Sequence, residues 1–465
     1  MTQTHQFDLS ILREYDIRGI IGQTLSWVDA YWIGRAFGTV VGKDKNLPKV
    51  AVCYDGRLSS PEMEKHLVNG LHDSGVHVVQ IGRGPTPMLY YAVSSLELDG
   101  GVMVTGSHNP PTHNGFKFML GKKPFFGQDI KDLGKLVRKA KYLTGVGILM
   151  AQDVRMDYLE KLLSAFSGKR ELRVAWDAGN GAAGEVMSAL CKTLPGAHIP
   201  LFDKIDGNFP NHHPDPTVPK NLETLIETVR REKCDVGIAF DGDGDRIGVV
   251  DENGVIVTGD QLIAILASDV MKKRPGEPII ADVKASQTLF DFIEKSGGIP
   301  VMWKTGHSHI KNQMANLSAP FAGEMSGHIF FADSYYGYDD ALYAAVRLLS
   351  ILASDTKPLS SYAKLLPPTF STPEIRFACD EAKKFKIVED IKKVLIKEKA
   401  RFSDIDGVRV MNEHGWWLLR ASNTQAVLVA RCESTTIEGL AALKTDLARK
   451  LALSGLNLPD ESDPH

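Results

Sequence analysis

The sequence predicts an α/β protein of three related mixed-sheet units, followed by a smaller α+β domain. Three observations lead there. Apolar strand-like runs alternate with helix-like periodicity from about residue 49 to residue 354, the pattern of layered sheets with buried strands. Several strands end on an aromatic residue or alanine followed by aspartate: Tyr54-Asp55, Trp176-Asp177, Phe240-Asp241 and Ala281-Asp282. Such endings suggest repeated units. After Pro367-Pro368 the chain changes to strands joined by tight turns, with two helices. This reading divides the chain into residues 1–150, 151–254, 255–367 and 368–465.

The elements follow in order. KVAVCYDGR (49–57) reads as a strand, and residues 61–74 as a helix with Ser60 at the N-cap, Pro61 at the first position and Gly75 as its stop. VHVVQIG (76–82) is a second buried strand, and Gly84-Pro85-Thr86-Pro87 a loop. A strand over 101–105 delivers Ser107. The second unit opens with LRVAWDAGNGAAG (172–184): strand, Gly-rich turn and helix start. Residues 198–216 read as a long turn-rich loop, and CDVGIAFDGDGDRIGVVDENG (234–254) closes the unit. The third holds helices at 261–274, 287–296 and 339–354, with strands in PIIADVKAS and PVMWKTGHS. The last domain reads as strand 374–379, a Lys-rich helix 382–398, strands 407–412, 415–420 and 426–431, and helix 437–453. The final LPDESDPH is polar and expected to be loose.

Composition narrows the function. The chain of 465 residues has a net charge of −3 and no basic run longer than three residues, which argues against nucleic acid as a partner. No stretch approaches the ~20 apolar residues of a membrane span. The N-terminus lacks the pattern of a signal peptide. Five well-separated cysteines without CxxC spacing read as reduced core thiols, so a cytoplasmic location is expected.

Four stretches carry chemistry. In GVMVTGSHNP (101–110) a strand runs into a sharp Gly106-Ser107 turn, and Asn109-Pro110-Pro111 stops either regular structure from continuing. Ser107 thus sits on a held turn beside His108, and Lys117 returns a cation to the same region. In Asp241-Gly242-Asp243-Gly244-Asp245-Arg246, alternating glycines let three carboxylates turn inward, and like charges so close demand a cation. Hard oxygen ligands favour Mg²⁺ or Ca²⁺. An EF-hand is the rival reading, with Glu252 at its twelfth position, but Arg246 stands where that loop needs glycine and the flanks are strands. GEMSGH (323–328) places Glu324 and Ser326 on one face of an extended segment, suited to neighbouring sugar hydroxyls. Arg420, Ser422, Asn423 and Thr424 form a compact anion cradle between two strands. The aspartate loop is the strongest signal of the four; the serine and arginine stretches alone are equally compatible with ordinary polar turns, and GEMSGH alone reads rather as a polar loop.

Together TGSHNP, DGDGDR, GEMSGH and RASNTQ, in that order and spacing, resemble the α-D-phosphohexomutases. YDIRG (15–19), DGNFPNHHPDP (206–216), DVK (282–284) and KTGHS (304–308) extend the resemblance over essentially the whole chain. It implies three α/β domains and a C-terminal domain around a central cleft. It implies Ser107 as a phosphoserine that, with Asp241, Asp243 and Asp245, holds one Mg²⁺. Arg246 and Lys117 would steady the phosphoryl group, and Lys117 or His108 could move a proton. Lys284 and His307 would contact the substrate, with His307 a candidate acid/base. Glu324 and Ser326 would bind the 3- and 4-hydroxyls, Tyr15 and Arg18 would line the cleft, and Arg420, Ser422, Asn423 and Thr424 would grip the non-reacting phosphate.

The implied activity interconverts hexose 1-phosphate and hexose 6-phosphate, mannose or glucose, through a hexose 1,6-bisphosphate. Sugar phosphates are the expected partners, and the chain is expected to be a monomer or weak homo-oligomer. Phosphoglucosamine mutase is the alternative on the same scaffold; a phosphohydrolase and a non-catalytic sugar-phosphate binder are others. The general base stays open among His307, Lys117, His108 and Lys284.

Overall fold

The computed structural model describes residues 4–423 and 425–459. Three of its four sheets share one strand plan, and that plan positions the site. In each, a central strand has two parallel neighbours, and one neighbour turns back into an antiparallel strand. In the first sheet Lys49–Tyr54 lies between His77–Arg83 and Gly100–Val104, and Gly100–Val104 pairs antiparallel with His113–Leu120. In the second, Leu172–Asp177 lies between Gly196–Leu201 and Val236–Phe240, which turns back into Ile247–Asp251. In the third, Pro278–Asp282 lies between Ile299–Trp303 and Phe321–Gly323, which turns back into Ile329–Phe331. The predicted echo is therefore a structural repeat. The three turns that follow the parallel strand hold Ser107, Asp241–Asp245 and Glu324.

The fourth sheet is wholly antiparallel, in the order Phe370–Ser371, Val427–Ser434, Gly415–Ala421, Val408–Asn412, Arg401–Ser403, with Ile375–Ala378 also on Val427–Ser434. Its hairpin turn after Ala421 carries Ser422 and Asn423. Helices Lys384–Lys397 and Ile437–Ala452 bury Val388, Ile391, Leu395, Leu443, Leu447 and Leu451 against it. Three α/β units and a smaller α+β domain are as the sequence predicts.

The central strands are buried along their length: Val236–Phe240 and Gly100–Val104 are buried at every position. One apolar cluster runs through the first three units, from Met88 and Leu89 through Trp176 and Ile238 to Leu266 and Leu348. That continuity holds the units in register around the cleft. All five cysteines are free thiols, with Cys53, Cys234 and Cys432 buried. Among the described residues no helix is long and apolar enough to cross a membrane.

Three local expectations need correction. Residues 198–201 are not loop; they belong to the strand Gly196–Leu201, which tolerates Pro200 because it lies at the sheet edge. Thr86 and Pro87 open a helix, Thr86–Ser95, where proline's missing N–H would have had no partner anyway. Ser60 is not a cap. The helix spans Ser60–His72 with Ser59 at the N-cap, and the Ser60 hydroxyl donates instead to Asp55 Oδ1 at 2.5 Å. Helices Trp27–Gly42 and Gln128–Lys139 complete the first unit without having been anticipated.

Candidate active site

A cleft of about 1010 Å³ opens where the four sheets converge. Tyr15, Arg18, Ser107, His108, Lys117 and Arg246 line its first half. Lys284, His307, Glu324 and Ser326 line the next stretch, and Arg420, Ser422 and Asn423 come from the last domain. The three aspartates lie beneath this floor, fully buried. Thr424 lies outside the described residues.

Ser107 leaves its strand with φ of 48°, a left-handed conformation that costs a non-glycine residue about 1–2 kcal/mol. Its side chain is fixed rather than loose. The hydroxyl donates to Asp241 Oδ2 at 3.2 Å and lies 3.1 Å from His108 Nδ1. Glycine makes this approach possible: a Cβ on Gly242 would lie 2.4 Å from the Ser107 carbonyl oxygen, so the two loops pack backbone against backbone. Gly244, at φ of 74°, turns the chain so that Asp245 faces its partners.

Asp241, Asp243 and Asp245 each offer an oxygen within 4.8 Å of the others. Asp243 Oδ1 and Asp245 Oδ1 are buried and accept no hydrogen bond. Orphaned, buried anionic oxygens of this kind fit a hard divalent cation, so the residues suit a metal. The opposite faces are neutralised by Lys117, whose Nζ donates to Asp243 Oδ2 at 2.6 Å and Asp245 Oδ2 at 2.5 Å. Burial opposes that charge, yet Asp243, Asp245 and Asp241 hold the lysine pKa above its ordinary value. Asp241 is pushed well up, first by burial and then by Asp245 and Asp243. No EF-hand forms, because the loop joins antiparallel strands.

Two imidazoles lie beside this cage, His328 Nδ1 only 3.7 Å from Asp245 Oδ1. His307 and His328 stack with centroids 5.4 Å apart, and both approach Asp339, at 3.6 and 3.0 Å. Arg246 Nε donates to His328 Nε2 at 3.0 Å. Burial holds His307 and His108 well below the usual imidazole pKa. Lys284, by contrast, sits 3.1 Å from Glu374 Oε2; burial opposes its charge, but Glu374, Asp282 and Glu324 raise its pKa. Both lysines are thus held charged and both histidines neutral, which favours an imidazole as proton acceptor.

Glu324 accepts from Gly306 N at 2.6 Å through Oε1, while its buried Oε2 has no partner. Tyr15 ties three units together: it donates to the Thr305 carbonyl at 2.9 Å and accepts from Asn423 Nδ2 at 2.8 Å. Arg420 is oriented by Asp406, 2.9 Å from its Nε.

Sequence reasoning missed four residues: His328, Asp339, Glu374 and Arg57. His328 was visible as the last letter of GEMSGH. The other three acquire their place only through tertiary contacts.

The chain matches four family descriptions in order. They are phosphoglucomutase/phosphomannomutase, alpha/beta/alpha domain I over residues 10–142, domain II over 156–254, domain III over 258–370, and the C-terminal domain over 374–450. It is 44% identical over 450 residues to a phosphomannomutase/phosphoglucomutase of Pseudomonas aeruginosa, covering 97% of each chain. It is 42% identical over 430 residues to a phosphoglucomutase of Neisseria gonorrhoeae, covering 92% of this chain and 93% of that one. A crystal structure of a phosphoglucomutase/phosphomannomutase family protein from Burkholderia thailandensis superposes with a TM-score of 0.92 at 41% identity, covering 98% of this chain and 100% of that one.

Proposed function

The chain belongs to the phosphoglucomutase/phosphomannomutase family, and from that premise we propose that it interconverts the 1- and 6-phosphates of mannose and glucose through a phosphoserine at Ser107. The observation that carries this reading is Ser107 Oγ, 3.2 Å from the first of three buried aspartates and across from the Lys117 ammonium. The functional loops divide as 1–150 for the serine, 151–254 for the metal, 255–367 for the sugar and 368–465 for the distant phosphate.

The phosphoryl group passes from Ser107 Oγ to the free hydroxyl of a bound hexose phosphate, giving a 1,6-bisphosphate and a free serine hydroxyl, the proton lost by the sugar being matched by one gained at Oγ. The bisphosphate reverses and returns its other phosphate to Ser107. Asp241, Asp243 and Asp245, with the serine phosphate, would hold one Mg²⁺, which when bound neutralises phosphoryl charge. Lys117 and Arg246 flank the same position and stabilise charge as it moves between oxygens. Neutral His307, whose ring stacks on His328, takes the proton of the attacking hydroxyl. Glu324 and Ser326 read the 3- and 4-hydroxyls, while Lys284, Tyr15 and Arg18 complete the wall. Arg420, Ser422, Asn423 and Thr424 grip whichever phosphate is not reacting.

Contacts to the 3- and 4-hydroxyls leave the 2-position unread. The kcat/KM values for mannose 1-phosphate and glucose 1-phosphate are therefore expected to lie within about tenfold of each other; a ratio above about a thousand, roughly 4 kcal/mol, would refute this. A coupled mutase assay with a trace of hexose 1,6-bisphosphate tests the whole reading. Preferred turnover of glucosamine 6-phosphate would make the enzyme a phosphoglucosamine mutase, and steady release of inorganic phosphate would make it a hydrolase.

Arg420→Ala should raise KM for both hexose 1-phosphates by about 30-fold, as expected for losing a charge-assisted hydrogen bond of about 2 kcal/mol. A change confined to one sugar would remove Arg420 from the shared phosphate site.

A further inference from the structure

Beneath the Ser107 loop lies a guanidinium that no step above uses. Arg57 is 1% exposed and does not line the cleft. All of its side-chain donors are occupied. Nε donates to Asp55 Oδ2 at 3.2 Å. Nη1 donates to the carbonyls of Pro110 and His113 at 2.6 and 3.0 Å. Nη2 donates to the carbonyls of Ser107 and Asn109 at 2.7 and 2.6 Å. Four carbonyls of the turn from Ser107 and the first residue of the next strand thus converge on one planar cation. Asp55, its counter-ion, secures the start of the same loop by accepting from Thr105 Oγ1 at 2.8 Å and Gly106 N at 3.1 Å.

From this geometry we propose that Arg57 is the positioning residue for phosphoryl transfer. It holds the Ser107 loop in its left-handed turn so that Oγ meets the aspartate cage. Guanidinium chemistry is required: five donors in a rigid fork serve five acceptors, where an ammonium offers three. The device also spans two units. The Phe209 ring covers the guanidinium at 5.2 Å, and a Cβ on Gly207 would lie 2.6 Å from Arg57 Cα. The 206–216 segment that carries Phe209 also offers the Pro214 carbonyl to Gly242 N at 3.1 Å, inside the metal loop. Arg57 and this segment therefore set the serine loop against the metal loop. The inference rests on Ser107 as the phosphoryl carrier.

The test compares the full-length wild type with Arg57→Lys and Phe209→Leu, by kinetics and by regional hydrogen exchange. Arg57→Lys is expected to lower kcat at least 100-fold with KM changed less than threefold. Amides 104–113 should exchange at least tenfold faster, while those of the strand Leu172–Asp177 keep their wild-type rate. Phe209 is half-buried, so Phe209→Leu keeps the fold and should show the same pattern with a three- to tenfold kcat loss. Wild-type exchange over 104–113 in a folded Arg57→Lys, or a kcat within threefold of wild type, would overturn the proposal. If Arg57→Lys does not fold, wild-type kcat and exchange in Phe209→Leu would do the same. A wild type without turnover or phosphoserine would sink the mutase reading instead, and the exchange data would still judge the loop.

Discussion

Ser107→Ala is expected to lower mutase turnover by at least about a thousandfold with hexose 1,6-bisphosphate present, and to abolish covalent phosphorylation. The size follows from the chemistry. In the proposed reaction Oγ carries the phosphoryl group between two sugars, so its loss removes a bond-forming atom rather than one stabilising contact. The fold should survive, because Ser107 contributes to the loop mainly through its backbone. Its N–H donates to Thr105 Oγ1 at 2.8 Å and its carbonyl accepts from Arg57, and alanine keeps both. The left-handed φ disfavours alanine and serine similarly. Intact mass should show one phosphate, about 80 Da, on the wild type incubated with the bisphosphate and none on the variant. A variant that turns over within tenfold of wild type would end the phosphoserine reading.

How much of this was legible in the sequence depended on how local the chemistry is. Ser107, the three aspartates, Glu324 and Arg420 each sit in a short run whose residue types state their use. Each run also follows a strand whose apolar pattern marks its end. Arg57 and Asp339 have no such run. Arg57 follows an ordinary strand-end Asp-Gly, and its role appears only once loop 107–113 is folded over it. Asp339 reads as one of two acids before a helix. Its neighbour Asp340 is the N-cap, accepting from Tyr343 N, whereas Asp339 is turned toward the two imidazoles. The missed helices and edge strand have a different cause. Trp27–Gly42 buries residues on much of its surface, which blurs the amphipathic period, and Gly196–Leu201 is largely exposed with an internal proline. The strand plan common to three units was hinted at by the repeated strand-end aspartates, but only the pairing of the third strand with an antiparallel fourth shows why the functional turns fall at one place.

Asp241→Asn should separate function from stability. Treating the wild type with a chelator is expected to remove turnover, and added Mg²⁺ to restore it; Asp241→Asn should stay at least about 100-fold less active even with excess Mg²⁺. In chelator at pH 7, however, the variant should be more stable than the wild type by about 1 kcal/mol. Shape is conserved: asparagine's oxygen can still accept from Asp245 N and Arg246 N, each at 3.1 Å, and its amide can donate to Ser107 Oγ. What disappears is one of three like charges crowded in a fully buried site. Burial first, then Asp245 and Asp243, push the Asp241 pKa well above its ordinary 3.8. A carboxyl raised in the folded state stabilises fully below its unfolded pKa, and that contribution fades as pH rises through the folded pKa. The asparagine advantage should therefore be present at neutral pH and shrink as the pH falls toward 4. Thermal unfolding in chelator at both pH values, beside the coupled assay with Mg²⁺, measures the two effects independently. A variant less stable than wild type at pH 7, or one fully active with Mg²⁺, would mean that the aspartate cage exists for the fold rather than for the cation.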